Sequence, residues 1–190
     1  MMDKSLPYHE VFMIREDLVG IPFHTLAEGF CFSMYKEGHE AMWAELETAV
    51  GEFTSPEKAL EYFRRTFLGN GTKARDRCIF VLDSQEDIAG TLSIWHPEHF
   101  PGETDLRLHW LAVHPRYQGK GIAKALMTRG MELAKGLGLG ERIYLSTQTW
   151  SFKAISIYLS FGFKPHPADM PEAWEMIHRE IGKSGRRSII

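Results

Sequence analysis

Leu108-His-Trp-Leu-Ala-Val-His-Pro-Arg-Tyr-Gln-Gly-Lys-Gly-Ile-Ala-Lys-Ala-Leu-Met127 joins a strand-like run to a glycine-rich turn that opens directly into a helix. Leu106, Leu108, Trp110 and Ala112 alternate with Arg107, His109, Leu111 and Val113, the period of two of a strand. Pro115 ends it by removing a backbone donor. From Ile122 the period changes. Ile122, Ala123, Leu126, Met127, Gly130, Leu133, Ala134 and Leu137 recur at threes and fours, with Lys124, Thr128, Glu132 and Lys135 opposite, which predicts an amphipathic helix packed on a sheet. Between them, Gly119 and Gly121 stand where the backbone turns sharply and where a ligand oxygen can approach N–H groups without meeting a Cβ. The first turn of a helix has unpaired N–H donors and a partial positive charge, so the junction suits phosphate, and Lys120 and Lys124 add charge.

Two competing phosphate motifs fail. A Walker A loop needs Ser or Thr after Gly-Lys, and here Gly121 and Ile122 follow Lys120; the dinucleotide fingerprint needs a glycine at position 124, which is lysine. What remains, Gln118-x-x-Gly121-x-Ala123, resembles the acyl-CoA-binding motif Gln/Arg-x-x-Gly-x-Gly/Ala of the GNAT superfamily of N-acetyltransferases. A second block, Ser151-x-x-Ala154-x-x-x-Tyr158-x-x-x-Gly162-Phe163, is similar to that superfamily's later Asn-x-x-Ala-x-x-x-Tyr-x-x-x-Gly-Phe segment, with Ser151 where asparagine is usual. Ile88-Ala89-Gly90 leading a strand is a weaker third echo. Together they span residues 77 to 166.

The resemblance implies a GNAT fold: an α/β (α+β) domain whose mixed central sheet is flanked by helices and whose parallel strands splay apart into a cleft for CoA. Periodicity alone yields only an α/β or α+β sandwich. The resemblance also implies that acetyl-CoA is the co-substrate, held by backbone groups of Leu111, Ala112 and Val113, by the turn Gln118, Gly119, Lys120, Gly121, Ile122, Ala123 and Lys124, and by Ser151 and Tyr158. It assigns Tyr158 as proton donor to the leaving thiol; from helix spacing alone, Tyr158 is an aromatic of the stripe Ala154, Tyr158 and Phe161. His109, with an ordinary pKa near 6.5, is the first candidate for the base that deprotonates the amine, ahead of Asp105 and His96. On the straight alternation it shares a face with Leu111 and Val113.

The length suits one domain over residues 1–182, with a frayed basic tail at 183–190. Hydrophobic residues make up 44% and charged residues 25%, which is ordinary for a globular protein, and a net charge of −3 gives no overall pull towards nucleic acid or an anionic membrane. Only Cys31 and Cys78 are present, 47 positions apart, with no leader-like or membrane-spanning run, so a cytoplasmic chain with reduced thiols is expected. His96-Pro-Glu-His99 lacks the spacing of a zinc helix, and no metal is expected. The expected partner is a small-molecule or peptide amine, and the resemblance admits a homodimer. A non-catalytic acyl-CoA sensor, or an N-acyltransferase for a longer acyl group, remains open.

Among the secondary elements, a strand is expected over 8–15, one or two helices over 23–53 and a helix starting at Thr54-Ser55-Pro56-Glu57 and stopped by Gly69-Asn70-Gly71. Strands 78–83 and 88–95 should form an antiparallel hairpin, a strand over 142–147 should follow the central helix, and 153–160 should be a short helix. Phe163 and Ala173–Ile181 read as one or two closing strands. Aromatic residues crowd 20–68, as core or as walls of an acceptor pocket.

Overall fold

A computed structural model describes residues 3–69, 73–95, 105–138, 140–167 and 170–186. Seven strands form one sheet: β1 (Glu10–Arg15), β2 (Phe30–Met34), β3 (Cys78–Asp83), β4 (Ile88–Trp95), β5 (Leu106–Val113), β6 (Ile143–Gln148) and β7 (Lys164–Pro165). Their spatial order is β2-β3-β4-β5-β6-β1-β7. Every neighbouring pair is antiparallel except β5 and β6, which are joined by α4 (Ile122–Leu137). That strand, helix, strand crossover is the one the change of period at Ile122 predicts.

The sheet opens where the functional reading requires. β5 and β6 pair only at Leu106 with Ile143 and at Arg107 with Tyr144; beyond those rungs the two parallel strands run on without pairing. At the same level β5 bulges: Ser93 faces His109 and Thr91 faces Ala112, so Trp110 and Leu111 together oppose Leu92. Trp110 takes φ +55°, a left-handed conformation that a bulky side chain adopts only when its surroundings enforce it. The bulge corrects the straight alternation. Leu106 and Leu108 pack with Leu111 and Val113 in the core cluster beneath α4, while Trp110 and Ala112 join the other cluster. His109, opposite Ser93, shares its face with Ala112 and not with Leu111 and Val113.

α4 lies on β3, β4 and β5, and its close approach to β4 rests on Gly130, where an added Cβ would stand 2.2 Å from Leu92 Cδ2. α1 (His39–Val50) and α2 (Pro56–Phe63) pack together on the other core cluster, around Trp43, Phe63, Phe67 and Phe80. Ser55 caps α2 and Pro56 opens it, as the sequence predicts; Arg64–Leu68 continue it as a π-helical turn. Gly69 follows that turn, and the rest of the expected stop, Asn70-Gly71, lies outside the described residues.

Two expectations fail. Residues 30–34 are not helical but form the edge strand β2, antiparallel to β3. The segment 173–181 is not strand: α6 (Pro171–Arg186) buries Ala173, Trp174 and Ile177, and it carries the expected tail as helix up to Arg186. The pair His96 and His99 lies outside the described residues. Among the described residues no cluster of side chains could hold a metal, and no helix is long and apolar enough to cross a membrane. Cys31 is exposed and Cys78 buried, and neither forms a disulfide.

Candidate active site

The gap between β5 and β6 opens into a cavity of about 640 Å³, within the range of small-molecule clefts. Its walls bring together Leu111, Ala112 and Val113 from the bulged strand; Gln118, Gly119, Gly121, Ile122, Ala123 and Lys124 from the turn; and Ser151, Lys153, Ala154 and Tyr158 from α5 (Phe152–Ser160) and the turn before it. Of the expected turn residues, Lys120 alone is not on this wall. Its ammonium sits over the rings of Phe30 and Tyr117, at 5.4 Å from each centroid.

The turn is built to leave room. Gly119 and Gly121 have φ +81° and +78°, and a Cβ added to either would meet nothing within 4 Å, so these positions open onto the cavity. Gly121 caps α4 without any side-chain hydrogen bond to its first N–H groups. Gln118 ties the turn back to the strand by donating from Nε2 to the Val113 carbonyl at 3.1 Å. Below it, Tyr117 donates to Asp83 at 2.5 Å and Arg116 bridges to Asp87 at 3.2 Å, which locks the short 3₁₀ turn Pro115–Tyr117 to the β3–β4 hairpin. Residues with these walls can take a long ligand that carries phosphate at the helix terminus and amides along the strand.

Tyr158 lies on the floor, only 6% exposed, with its ring near Phe163 at 6.1 Å. Burial, with the charges of Glu52 and Glu47 behind it, pushes its phenol far above the ordinary value, so it holds its proton at every physiological pH. Ser151 precedes α5 and reaches the cavity, but its side chain caps nothing. His109 also lines the cavity, between Phe67 and Trp110. Burial and the nearby Arg107 bring its pKa down to about 3, which leaves a neutral imidazole with little affinity for a proton. Asp105 is committed to Arg142 at 2.7 Å.

Two acidic residues of the cavity wall were not anticipated. Glu47, in the last turn of α1, and Glu52, just beyond it, both face this space. Glu47 is 1% exposed, its Oε1 has no hydrogen-bond partner among the described residues, and burial followed by the charge of Glu52 raises its pKa well above the carboxylate range. Burial also raises Glu52, against Gln148 and Lys4, which lower it. An acid in a helix's polar stripe looks like any solvated glutamate, and only the fold turns it inward.

Residues 36–163 match the model of the acetyltransferase (GNAT) family. N-acetyltransferase 8B of Rattus norvegicus is 31% identical over 100 residues, covering 52% of this chain and 45% of the relative. N-acetyltransferase 8 of Homo sapiens is 34% identical over 92 residues, covering 47% and 40%. The chain thus spans less than half the length of these curated relatives. Among solved structures, a GCN5-related N-acetyltransferase from Sphaerobacter thermophilus aligns with TM-score 0.65 and 17% identity over 83% of this chain and 48% of that one. Diaminobutyrate acetyltransferase EctA from Paenibacillus lautus, in complex with L-2,4-diaminobutyric acid and coenzyme A, aligns with TM-score 0.53 and 19% identity over 70% and 74%. At these identities the two structures speak for the fold alone.

Proposed function

The chain belongs to the GNAT acetyltransferase family, and from that premise we propose that it moves an acetyl group from acetyl-CoA directly to an amine in a ternary complex. One observation carries the reading: a single cavity, opened by the splay of β5 from β6, is lined by the glycine turn and by Tyr158. The fit to acetyl-CoA rests on this chain's own geometry. Gly119 and Gly121 leave the space a diphosphate needs beside the uncapped start of α4, and Lys124 adds positive charge on the same wall. Backbone groups of Leu111 to Val113, which β4 pairs on one edge at Ala112 and Val113 and which the splay frees from β6 on the other, can pair with pantetheine amides as an added strand would.

The chemistry asks for two proton transfers. An alkylammonium of pKa near 10.4 must become a free amine, at a cost of about 4 to 5 kcal/mol at pH 7, and the departing thiolate must gain a proton. A backbone N–H at the bulge meets the oxyanion as it forms, since fixed amides stabilise charge where it develops. Tyr158 donates to sulfur as the C–S bond breaks, because its buried phenol is protonated throughout the working range. His109, neutral and weakly basic, is proposed to shape and dry the site rather than to carry the proton.

Titration with acetyl-CoA followed by thiol release in a panel of amines tests this reading. Tyr158→Phe is expected to lower turnover at least tenfold with acetyl-CoA affinity changed less than twofold. Failure to bind acetyl-CoA defeats the assignment; an unchanged turnover in Tyr158→Phe removes the phenol from the mechanism.

A further inference from the structure

α1 ends in an arrangement that a helix avoids unless something compensates it. Its last turn contains Glu47 and no basic residue, although the carbonyl end of a helix carries partial negative charge and favours cations. Gly51 (φ 91°) lets the chain reverse: its N–H donates to the Thr48 carbonyl and the Glu52 N–H donates to the Glu47 carbonyl, both at 3.0 Å. That double closure folds residue 52 back over residue 47 and puts a second acid on the same cavity wall. The cation present, Lys4, bonds the Gly51 carbonyl from Nζ at 3.2 Å and influences Glu52. Glu47 is left buried, with an oxygen that nothing among the described residues satisfies. A buried carboxyl oxygen without a partner persists only because the rest of the fold holds it, and the residue that carries it lines the cavity.

The neighbouring wall is aromatic. Trp110, held by the bulge, stacks on Phe53 (5.4 Å, 27°) and meets Trp43 and Tyr62 edge-on at 5.2 and 5.3 Å. Val50 and Leu111 line the same cavity. We propose that Glu47 and Glu52 form the acceptor site: a primary alkylammonium on an apolar frame enters with its charge against the two carboxyl groups and its carbons against Trp110, Val50 and Leu111, and the pair takes its protons. This rests on the acetyl-transfer reading and adds to it the substrate class and the base.

The proton balance closes on these residues. The nitrogen enters with three protons and leaves, as a secondary amide, with one. The first passes to Glu47 before attack. The second leaves as the tetrahedral intermediate collapses: Tyr158 gives its own proton to sulfur as the C–S bond breaks, and the proton on nitrogen then replaces it on the phenolate. Glu47 then releases the first to solvent through Glu52, which is exposed at the mouth, where it accepts from Gln148 Nε2 at 3.4 Å. Burial raises the carboxyl and lowers the ammonium, so the gap of about six units that separates them in water narrows inside the cavity. The other titratable groups on the cavity wall are His109, neutral, Tyr158, protonated, and Tyr117, Lys124 and Lys153, while Lys4 acts on Glu52.

Phenethylamine, n-hexylamine and glycine serve as probes, with acetyl-CoA-dependent thiol release as the readout. Phenethylamine or n-hexylamine is expected to exceed glycine at least tenfold in kcat/KM. E47Q should lower kcat at least a hundredfold and E52Q at least tenfold, each with acetyl-CoA affinity within twofold of the parent. The rise of kcat/KM with pH through the raised Glu47 carboxyl should vanish in E47Q. The melting temperature of E47Q should stay level or rise, since an amide removes a desolvated acid; a merely structural glutamate would make it fall. Retained turnover in both variants, preference for glycine, or no turnover of any probe by a protein that binds acetyl-CoA would overturn the proposal. Refusal of acetyl-CoA itself would instead bring down the acetyl-transfer reading on which it stands.

Discussion

Gly121 and Gly138 occupy the two ends of α4 in the same left-handed conformation, φ +78° and +62°, and a Cβ at either would meet nothing within 4 Å. Alanine at each position therefore imposes the same backbone strain with no clash. That conformation costs an L-residue about 1–2 kcal/mol, and the loss of glycine's freedom in the unfolded chain returns about 0.4–1 kcal/mol, so each variant should lose about 1 kcal/mol of stability. The ligand separates them. At Gly121 the new methyl projects into the cavity beside the helix N-terminus, while Gly138 lies away from the cavity residues. Loss of one backbone hydrogen bond to a charged group is worth about 1.5–3 kcal/mol, which is about 10- to 150-fold in the acetyl-CoA dissociation constant. Urea denaturation gives the stability of both variants and isothermal titration gives their affinity. Matching stability losses with a selective loss of affinity in Gly121→Ala are expected. Binding within twofold of the parent in Gly121→Ala, or equal weakening in Gly138→Ala, would refute the phosphate-cradle argument.

Two further outcomes follow from burial and packing. The folded His109 binds a proton only near pH 3 whereas the unfolded imidazole binds one near 6.5, so the unfolded state gains protons first and stability is lost as pH falls through 6.5 towards 3. The contribution approaches ~1.36 kcal/mol per pH unit, or about 2 kcal/mol by pH 5; His109→Asn should flatten that part of the profile in urea melts, and parallel profiles would contradict it. Gly130→Ala forces the fully buried Leu92 out of its place, since the added Cβ lies 2.2 Å from Leu92 Cδ2. Overpacking of about 1–3 kcal/mol outweighs a gain in helix propensity of about 1 kcal/mol, so thermal unfolding should occur several degrees lower; an unchanged midpoint would show that α4 can lift off β4 freely.

The central crossover was legible because its two periods meet at one turn: alternation to Val113, then threes and fours from Ile122. The hairpin over 78–95 and the start of α2 at Ser55-Pro56 were legible from turn and cap residues. β2 was missed because five edge residues, two of them exposed and none buried, carry no clean alternation between Gly29 and Gly38. α6 was misread although Ala173, Trp174, Ile177 and Ile181 recur at helical spacing and Pro171 opens the segment; apolar content was weighed above period. The bulge left no local trace. Nothing in the letters around Trp110 announces a left-handed backbone, because the conformation is imposed by what packs on that residue, and one such residue re-aims its neighbours. The turn and Tyr158 carried motif spacing, whereas Glu47 and Glu52 meet only through the closure at Gly51, so that wall of the cavity had no linear signature.

The two rungs joining β5 to β6 make the sheet a pair of rafts moored by a short hawser. On one side lie β2 to β5, on the other β6, β1 and β7, and little main-chain bonding spans the water between them. A molecule offering amides at strand spacing would supply the planks that are absent. Docking it would stiffen the molecule across that opening, and its departure would give that stiffness back, so occupancy and rigidity rise and fall together.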